Sequence, residues 1–142
     1  MTMAAGGWMA TCVDMARLLT AIDGSRTGTP FLSPPMMQAM VSAAPGIPRE
    51  QGKGWFGLGW DSVEEVAGGN GNGDIASRFS WAKDGALPGI STWIHHLPSG
   101  VNFAILCNSS AEGALAALRP KVLQFINGMR QWPEGDLFPE FA

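Results

Sequence analysis

Residues 80–94 read SWAKDGALPGISTWI, and this stretch is the most informative part of the chain. Strand-forming residues lie on both sides of Lys83, Asp84 and Gly85, so the pattern predicts a strand, a tight glycine turn that begins with the lysine, and a second strand. Glycine lets a ligand approach the backbone closely, and a neighbouring cation can hold an anion or an acyl group there. The stretch therefore predicts a place at a sheet edge where an anion or an acyl group can be held.

Two other segments have the patterns of strands. Residues 55–60 alternate glycines with large side chains, and residues 101–108 form an apolar run. With residues 78–82 and 90–96 they make four predicted strands. The turn sequence LPSG at residues 97–100 predicts that the last two strands form an antiparallel hairpin.

Three segments have the apolar periodicity of helices, namely residues 12–22, 33–41 and 111–130. Thr11 and Asp14 are suited to the N-terminus of the first helix, and Asp23-Gly24 to its end. Pro120 lies inside the third segment and predicts a kink or a split near Leu118, because proline cannot donate the helical hydrogen bond.

These elements predict an α+β fold, in which an antiparallel sheet of about four strands is flanked by helices. Residues 101–107 are apolar on both faces, so the sheet is expected to be covered on both sides, on one of them by the C-terminal helix. No shift in composition marks a domain boundary, and residues 1–142 are predicted to form a single domain.

Composition narrows the range of partners. Hydrophobic residues make up 46% of the 142 residues, so a buried core is expected, and the net charge of −3 favours neither nucleic acid nor an anionic membrane. The first ten residues lack the basic segment of a signal peptide, and no apolar run reaches the length of a transmembrane helix. The cellular compartment stays open.

The sequence contains no pattern that is typical of a metal or cofactor site. Cys12 and Cys107 are the two cysteines, and both are predicted to be buried thiols rather than a disulfide. His95 and His96 are the two histidines, and adjacent strand residues point to opposite faces, so one packed and one exposed ring are expected. No metal site and no cofactor are predicted.

A series of short motifs resembles the C-terminal half of penicillin-recognising serine hydrolases, which include class C β-lactamases, D,D-peptidases and related esterases. The motifs cover residues 6 to 128 in the order GGWMAT at 6–11, VDMAR at 13–17, LSP at 32–34, FGLGW at 56–60, WAKDG at 81–85, PG at 88–89 and FAILCN at 103–108. Each motif alone is weak, and the order and spacing give the resemblance its specificity.

The resemblance implies acyl transfer through a serine, on esters, amides or β-lactams. The family's Ser-x-x-Lys helix and Tyr-x-Asn loop are expected upstream of Met1, and this chain contains no tyrosine. Ser80 and Lys83 have the Ser-x-x-Lys spacing, but on a strand residues three apart point to opposite faces, so Ser80 is not expected to be the nucleophile. A small acyl substrate is therefore expected only if an N-terminal half completes the site.

The resemblance also implies roles for Lys83, Asp84, Gly85 and Ala86. Lys83 is similar to the family's lysine, which holds a substrate carboxylate or tunes proton transfer, although a merely solvated lysine is the alternative. Gly85 would let substrate lie along the strand, and the Ala86 N–H would be one oxyanion donor. Most of the six tryptophans are expected in the core, and Trp81 is the best candidate for a pocket wall. Asp84 stands where the family has a hydroxyl, and an ionised carboxylate favours a neutral ester or amide over an anionic substrate.

A second interpretation makes the chain a non-catalytic interaction module or a relic that keeps the fold. Residues 101–107 lack the strand that pairs beside them in the family, and an open apolar edge invites pairing with another chain. This interpretation predicts a homo-oligomer.

Overall fold

The computed structural model describes residues 9–24, 31–47, 53–66, 74–109 and 113–135. Its helices are α1 (Cys12–Ile22), α2 (Pro34–Val41), α3 (Ile75–Arg78) and α4 (Ala114–Gly128). Its strands are β1 (Trp55–Gly57), β2 (Trp60–Glu65), β3 (Phe79–Leu87), β4 (Ile90–His96) and β5 (Asn102–Cys107). The GGW motif at residues 6–8 lies outside the described residues.

The five strands form one antiparallel sheet in the order β1-β2-β3-β4-β5, so every strand pairs with its neighbour in sequence. The α+β class and the antiparallel sheet are confirmed. The register places Lys83 opposite Ile94 and Gly85 opposite Thr92, and it places Thr92 opposite Leu106 on β5. The predicted hairpin between β4 and β5 is confirmed.

The predicted number of four strands is wrong because residues 55–60 do not form one strand. The chain turns at Leu58 and Gly59, where Gly59 has a φ of +83° that favours glycine, and β2 then pairs back on β1. The strand β2 also includes acidic residues, which hide the apolar alternation of a strand.

The glycine turn of the 80–94 stretch is also not where the sequence predicts it. Lys83, Asp84 and Gly85 are extended and paired with β4, and the turn comes at Pro88 and Gly89, where Gly89 has a φ of +82°. The pairing of β3 with β4 therefore continues through Leu87. Gly85, which has no side chain, lies opposite Thr92 in this pairing.

The helical predictions are mostly confirmed. Helix α1 begins with a capping box, in which the Asp14 N–H donates to Thr11 Oγ1 over 3.1 Å and the Thr11 N–H donates to Asp14 Oδ2 over 2.8 Å. Helix α4 runs as one element through Pro120, so of the two predicted alternatives the split is wrong and the kink stays a prediction. Cys12 and Cys107 are free thiols as predicted, but Cys12 is exposed and Cys107 is half-buried, so their predicted burial is wrong.

The contacts of the chain divide it into two units, Met1–Ser110 and Ala111–Ala142. In the first unit, α1 and α2 pack on one face of the sheet and enclose its core. The buried core residues are Leu19, Met37, Met40, Val41, Trp60, Val63, Phe79, Trp81 and Ile94. The second unit contains α4. The single domain over residues 1–142 and the covering of the second sheet face stay predictions.

A buried polar network fixes α1 to the sheet. Asn102 Nδ2 donates to Asp23 Oδ2 over 2.6 Å, and this contact orients Asn102 Oδ1 toward His96 Nδ1 at 2.7 Å. His96 Nε2 lies 2.9 Å from the carbonyl oxygen of Ala76, which can only accept. Both ring nitrogens of His96 therefore face acceptors, and the Asp23 carboxylate, 1% exposed, lies 4.0 Å from the ring.

Candidate functional site

Strand β3 has two halves with different surroundings. Residues 79–82, the paired half, are bonded to β2 on one side, and that pairing stops at Ala82. Residues 83–87, the open half, continue along β4 but have no described strand on their other side. Lys83 is the first residue of the open half, so the structure brings it to a margin of the sheet.

Asp61 of β2 closes the junction between the two halves. Lys83 Nζ donates to Asp61 Oδ1 over 2.6 Å, and the Asp84 N–H donates to Asp61 Oδ2 over 3.0 Å. The hydrogen bond from Lys83 is the main reason that the pKa of Asp61 lies below its ordinary value, and the Asp84 amide adds to the shift. The Lys83 ammonium is thus held in one place and its charge is balanced.

The Ala86 amide belongs to the open edge. Backbone N–H groups alternate from side to side along a strand, and the Asp84 N–H points toward β2. The Ala86 N–H, two residues later, points to the same side, beyond the end of the β2 pairing. Ala86 lies about 10 Å along the strand from Lys83 at ordinary strand rise. The strand thus presents a cation and a free-edge amide on one margin.

Gly85 has a packing reason for its lack of a side chain. A β-carbon built on Gly85 would collide with the Thr92 hydroxyl opposite it on β4. Thr92 therefore occupies the space beside Gly85 on that face. This contact is a reason for glycine at position 85 that involves no ligand. The predicted role of Gly85, to let substrate lie along the strand, stays a prediction.

Trp81 is not a pocket wall. Its side chain is 0% exposed, and its ring stacks on His96 with centroids 3.8 Å apart. Trp60 lies against the same indole at 6.2 Å. Trp81 therefore belongs to the core behind the site, because its fully buried ring has no surface to offer a ligand.

Ser80 and Lys83 have separate environments, as expected for residues three apart on a strand. Ser80 Oγ lies 2.7 Å from His95 Nε2, while Lys83 pairs with Asp61. His95 lies beside Trp93 and Phe103, whereas the adjacent His96 stacks on Trp81. Ser80 and Lys83 therefore do not share a site, and His95 and His96 do not share one either.

An apolar groove lies beside Lys83 on the face that α1 covers. Its volume is about 470 Å³, and its lining includes Met9, Met15, Ile90, Thr92, Leu106 and Lys83. Thr92 and Leu106 meet there because β4 and β5 pair in register. The groove and Asp61 are the features that sequence reasoning missed.

The signal for Asp61 was present in the sequence but could not be interpreted alone. Asp61 directly follows the FGLGW motif, and only the register of β2 against β3 brings it to Lys83, 22 residues later. No rule of sequence spacing connects a carboxylate on one strand to a lysine 22 residues later on another strand. The groove likewise depends on three strands and α1 together.

Two searches of the described residues bear on metals and membranes. No group of three or more histidine, cysteine, aspartate or glutamate side chains could hold a metal ion in the part of the chain that the structure describes. Among the same residues, no helix has both the length and the apolar character needed to cross a bilayer.

Comparisons of the chain with protein-family models, with curated proteins and with solved structures found no match. The family resemblance therefore rests on the sequence motifs alone.

Proposed function

We propose that this chain forms the acyl-binding wall of a serine hydrolase related to class C β-lactamases, D,D-peptidases and esterases. The observation that supports this best is the open half of β3, where Lys83 and the Ala86 amide face one sheet margin. A carbonyl compound laid along that edge would accept a hydrogen bond from the Ala86 N–H. One such donor lowers an acyl-transfer barrier by about 3 kcal/mol when it points at the developing oxyanion.

The charges at the margin favour a neutral substrate. Lys83 is already paired with the carboxylate of Asp61. An anionic head group beside Lys83 would meet that carboxylate and would compete with it for the ammonium. The proposed reaction class is therefore hydrolysis or transfer of a neutral ester or amide, with Lys83 acting on proton transfer rather than on a substrate carboxylate.

The nucleophile in this proposal is a serine supplied by polypeptide other than the described residues. The hydrogen-bond partner of Lys83 within the described residues is the Asp61 carboxylate rather than a serine hydroxyl. The chain by itself is therefore expected to bind acyl compounds without turning them over.

Titration with N-acetylalanine methyl ester, followed by amide NMR, tests the proposal. We expect chemical-shift changes at the amides of Gly85, Ala86 and Leu87, and weaker changes with N-acetylalanine, which has a free carboxylate. Lys83→Met should weaken the response, and Lys121→Met, on α4, should leave it unchanged. Absence of any response at Ala86 at millimolar ester would contradict the proposal.

A chromogenic ester assay tests the missing nucleophile separately. We expect no turnover above background from this chain. Turnover that Ser80→Ala abolishes would place the nucleophile on β3 and would overturn this part of the proposal.

A second candidate function is that of a self-associating interaction module. The observation that favours it is that β5 pairs with β4 alone among the described strands, so its outer edge is open within the part of the sheet that the structure describes. An apolar edge of this kind can pair with the same strand of a second copy. Light scattering would show a dimer in that case, and a monomer at high protein concentration would contradict it.

A further inference from the structure

The groove beside Lys83 is lined mostly by apolar side chains, whereas the margin of β3 that it adjoins carries the charged pair of Lys83 and Asp61. Its lining side chains from α1 and from the residues before it, Met9 and Met15, are flexible thioethers that adapt to the shape of a ligand. Ile90 and Leu106 form its sheet side, and both are large apolar side chains that stay 47% and 42% exposed. The lining thus offers apolar surface that this part of the chain leaves in contact with water.

The size of the groove fits a small molecule. Its volume of about 470 Å³ lies in the range of about 300–1,000 Å³ that is usual for small-molecule sites. Such sites combine apolar walls with few polar groups, and here the polar groups are the Thr92 hydroxyl and the Lys83 ammonium. A narrow apolar ligand with a polar head at the Lys83 end satisfies both.

The charge of the head group follows from the partners of Lys83. Its ammonium is 2.6 Å from Asp61 Oδ1, so this end of the groove already holds a carboxylate. A fatty acid would need the same ammonium that Asp61 holds, and its carboxylate would approach that of Asp61. A neutral carbonyl head avoids this repulsion and can accept a hydrogen bond at the open edge.

We propose that the apolar groove binds the acyl chain of a neutral medium-chain ester or amide whose carbonyl lies at the open half of β3. This inference rests on the proposed function and adds the substrate class. The chain of the ligand lies between Met15 and Leu106, and its head lies beside Lys83.

Methionine methyl NMR with a matched ligand series tests this inference. The ligands are N-butanoylglycinamide and N-octanoylglycinamide, which differ by four methylenes, and N-octanoylglycine, which has the longer chain and a carboxylate. We expect shifts of the Met9 and Met15 methyl signals but not of Met129, which does not line the groove. The octanoyl amide should bind at least about tenfold more tightly than the butanoyl amide, since each half-buried methylene adds about twofold.

The carboxylate ligand tests the charge argument. N-octanoylglycine should bind at least about threefold more weakly than N-octanoylglycinamide at low salt, and the difference should shrink in high salt because screening weakens the repulsion. Equal or tighter binding of the carboxylate would overturn the preference for a neutral head.

Two variants change the groove directly. Leu106→Asp places a charge on its wall, and Thr92→Phe fills it without altering β5, so the second variant serves if the first does not fold. Either should reduce the octanoyl advantage to less than about twofold. Leu118→Asp, on α4, is the matched control because Leu118 is similarly exposed and does not line the groove.

The two proposals fail in different ways in this experiment. Ala86 amide shifts that do not depend on chain length would overturn the acyl-chain groove and leave the proposed function in place. Methionine shifts that grow with chain length, without any response at Ala86, would support the groove and contradict the proposed carbonyl site. An absence of both responses at millimolar ligand would overturn both.

Discussion

The two halves of β3 belong to one strand and yet have opposite properties. In the paired half, Phe79 and Trp81 are buried, β2 pairs with the strand throughout, and β4 pairs with it from Trp81 onward. In the open half, Lys83 and Leu87 are exposed, and among the described strands β4 alone pairs with it. The change occurs between Ala82 and Lys83, where the β2 pairing stops.

This difference shows how a fold makes a binding edge from an ordinary strand. The paired half is stabilised by burial and anchors the strand, so the open half can stay extended without a second neighbour. Unpaired backbone groups on an anchored strand are a usual place for a ligand to add to a sheet. The paired half therefore supplies rigidity, and the open half supplies the site.

Truncation of the buried indole breaks the paired half and has the largest expected effect. Trp81→Ala should lower the free energy of unfolding by about 3–5 kcal/mol, because it removes a fully buried ring and leaves a cavity against His96 and Trp60. Urea denaturation followed by circular dichroism measures the loss.

Leu87→Ala is the matched change in the open half. Leu87 is 66% exposed, so its truncation should cost less than about 0.5 kcal/mol. Equal losses for Trp81→Ala and Leu87→Ala would contradict the division of β3 into two halves.

Removal of the buried Asp23 carboxylate tests the polar network that connects α1 to the sheet. Asp23→Asn should lower the free energy of unfolding by about 2 kcal/mol, because Asn102 loses a charged acceptor and the His96 ring loses its nearby carboxylate. Thermal and urea unfolding of the variant measure this loss.

Asp61→Asn provides the exposed counterpart of that change. Its carboxylate pairs with Lys83 at the surface, so its replacement should cost about 0.5 kcal/mol. A larger loss for Asp61→Asn than for Asp23→Asn would show that the margin, rather than the buried network, holds the sheet together.

Adding one methyl group at Gly85 sharpens the comparison inside the open half. Gly85→Ala should lower the free energy of unfolding by about 1 kcal/mol, because the new β-carbon meets the Thr92 hydroxyl. The double variant Gly85→Ala/Thr92→Ala should recover most of this loss, since the hydroxyl is gone. An unchanged loss in the double variant would mean that Gly85 is needed for another reason.

Much of the fold could be predicted from local pattern. The capping box at Thr11 and Asp14, the hairpin of β4 and β5, and the strand near residues 101–108 are short-range signals, and each is confirmed, with the strand slightly shorter than predicted. The errors arose where a glycine has two uses. Gly59 makes a turn inside a run that alternates like a strand, whereas Gly85 continues a strand at a position that resembles a turn.

The site could be predicted only in part because its remaining features depend on pairing over long distances. Lys83 was expected at a sheet margin, and the structure has it there. Trp81 is predicted at a pocket, but its ring is buried in the core. It lies two residues before Lys83, on the same face of β3 but within the half that pairs with β2. Asp61 required the β2–β3 register, which no local pattern provides.

The pH dependence of the Asp61–Lys83 pair is the smallest and most specific test of the junction between the two halves. The pKa of Asp61 is lowered by the hydrogen bond from Lys83, so the pair stabilises the folded chain fully above the ordinary carboxyl value of 3.8. That stabilisation is lost as the pH falls through the lower folded-state pKa. The stability difference between wild type and Asp61→Asn, about 0.5 kcal/mol near neutral pH, should therefore disappear in acid.

A pH titration of the side-chain carboxyl carbon of Asp61 by NMR measures the shift directly. In Lys83→Met, the largest cause of the shift is absent, so the Asp61 pKa should move back up toward 3.8, with burial and the Asp84 amide acting on it in opposite directions. Addition of salt should reduce the stability difference, because the pair is exposed and screened. An Asp61 pKa that is the same in wild type and in Lys83→Met would show that the two side chains are not paired in solution, and the lysine at the margin would then be available to an anionic ligand.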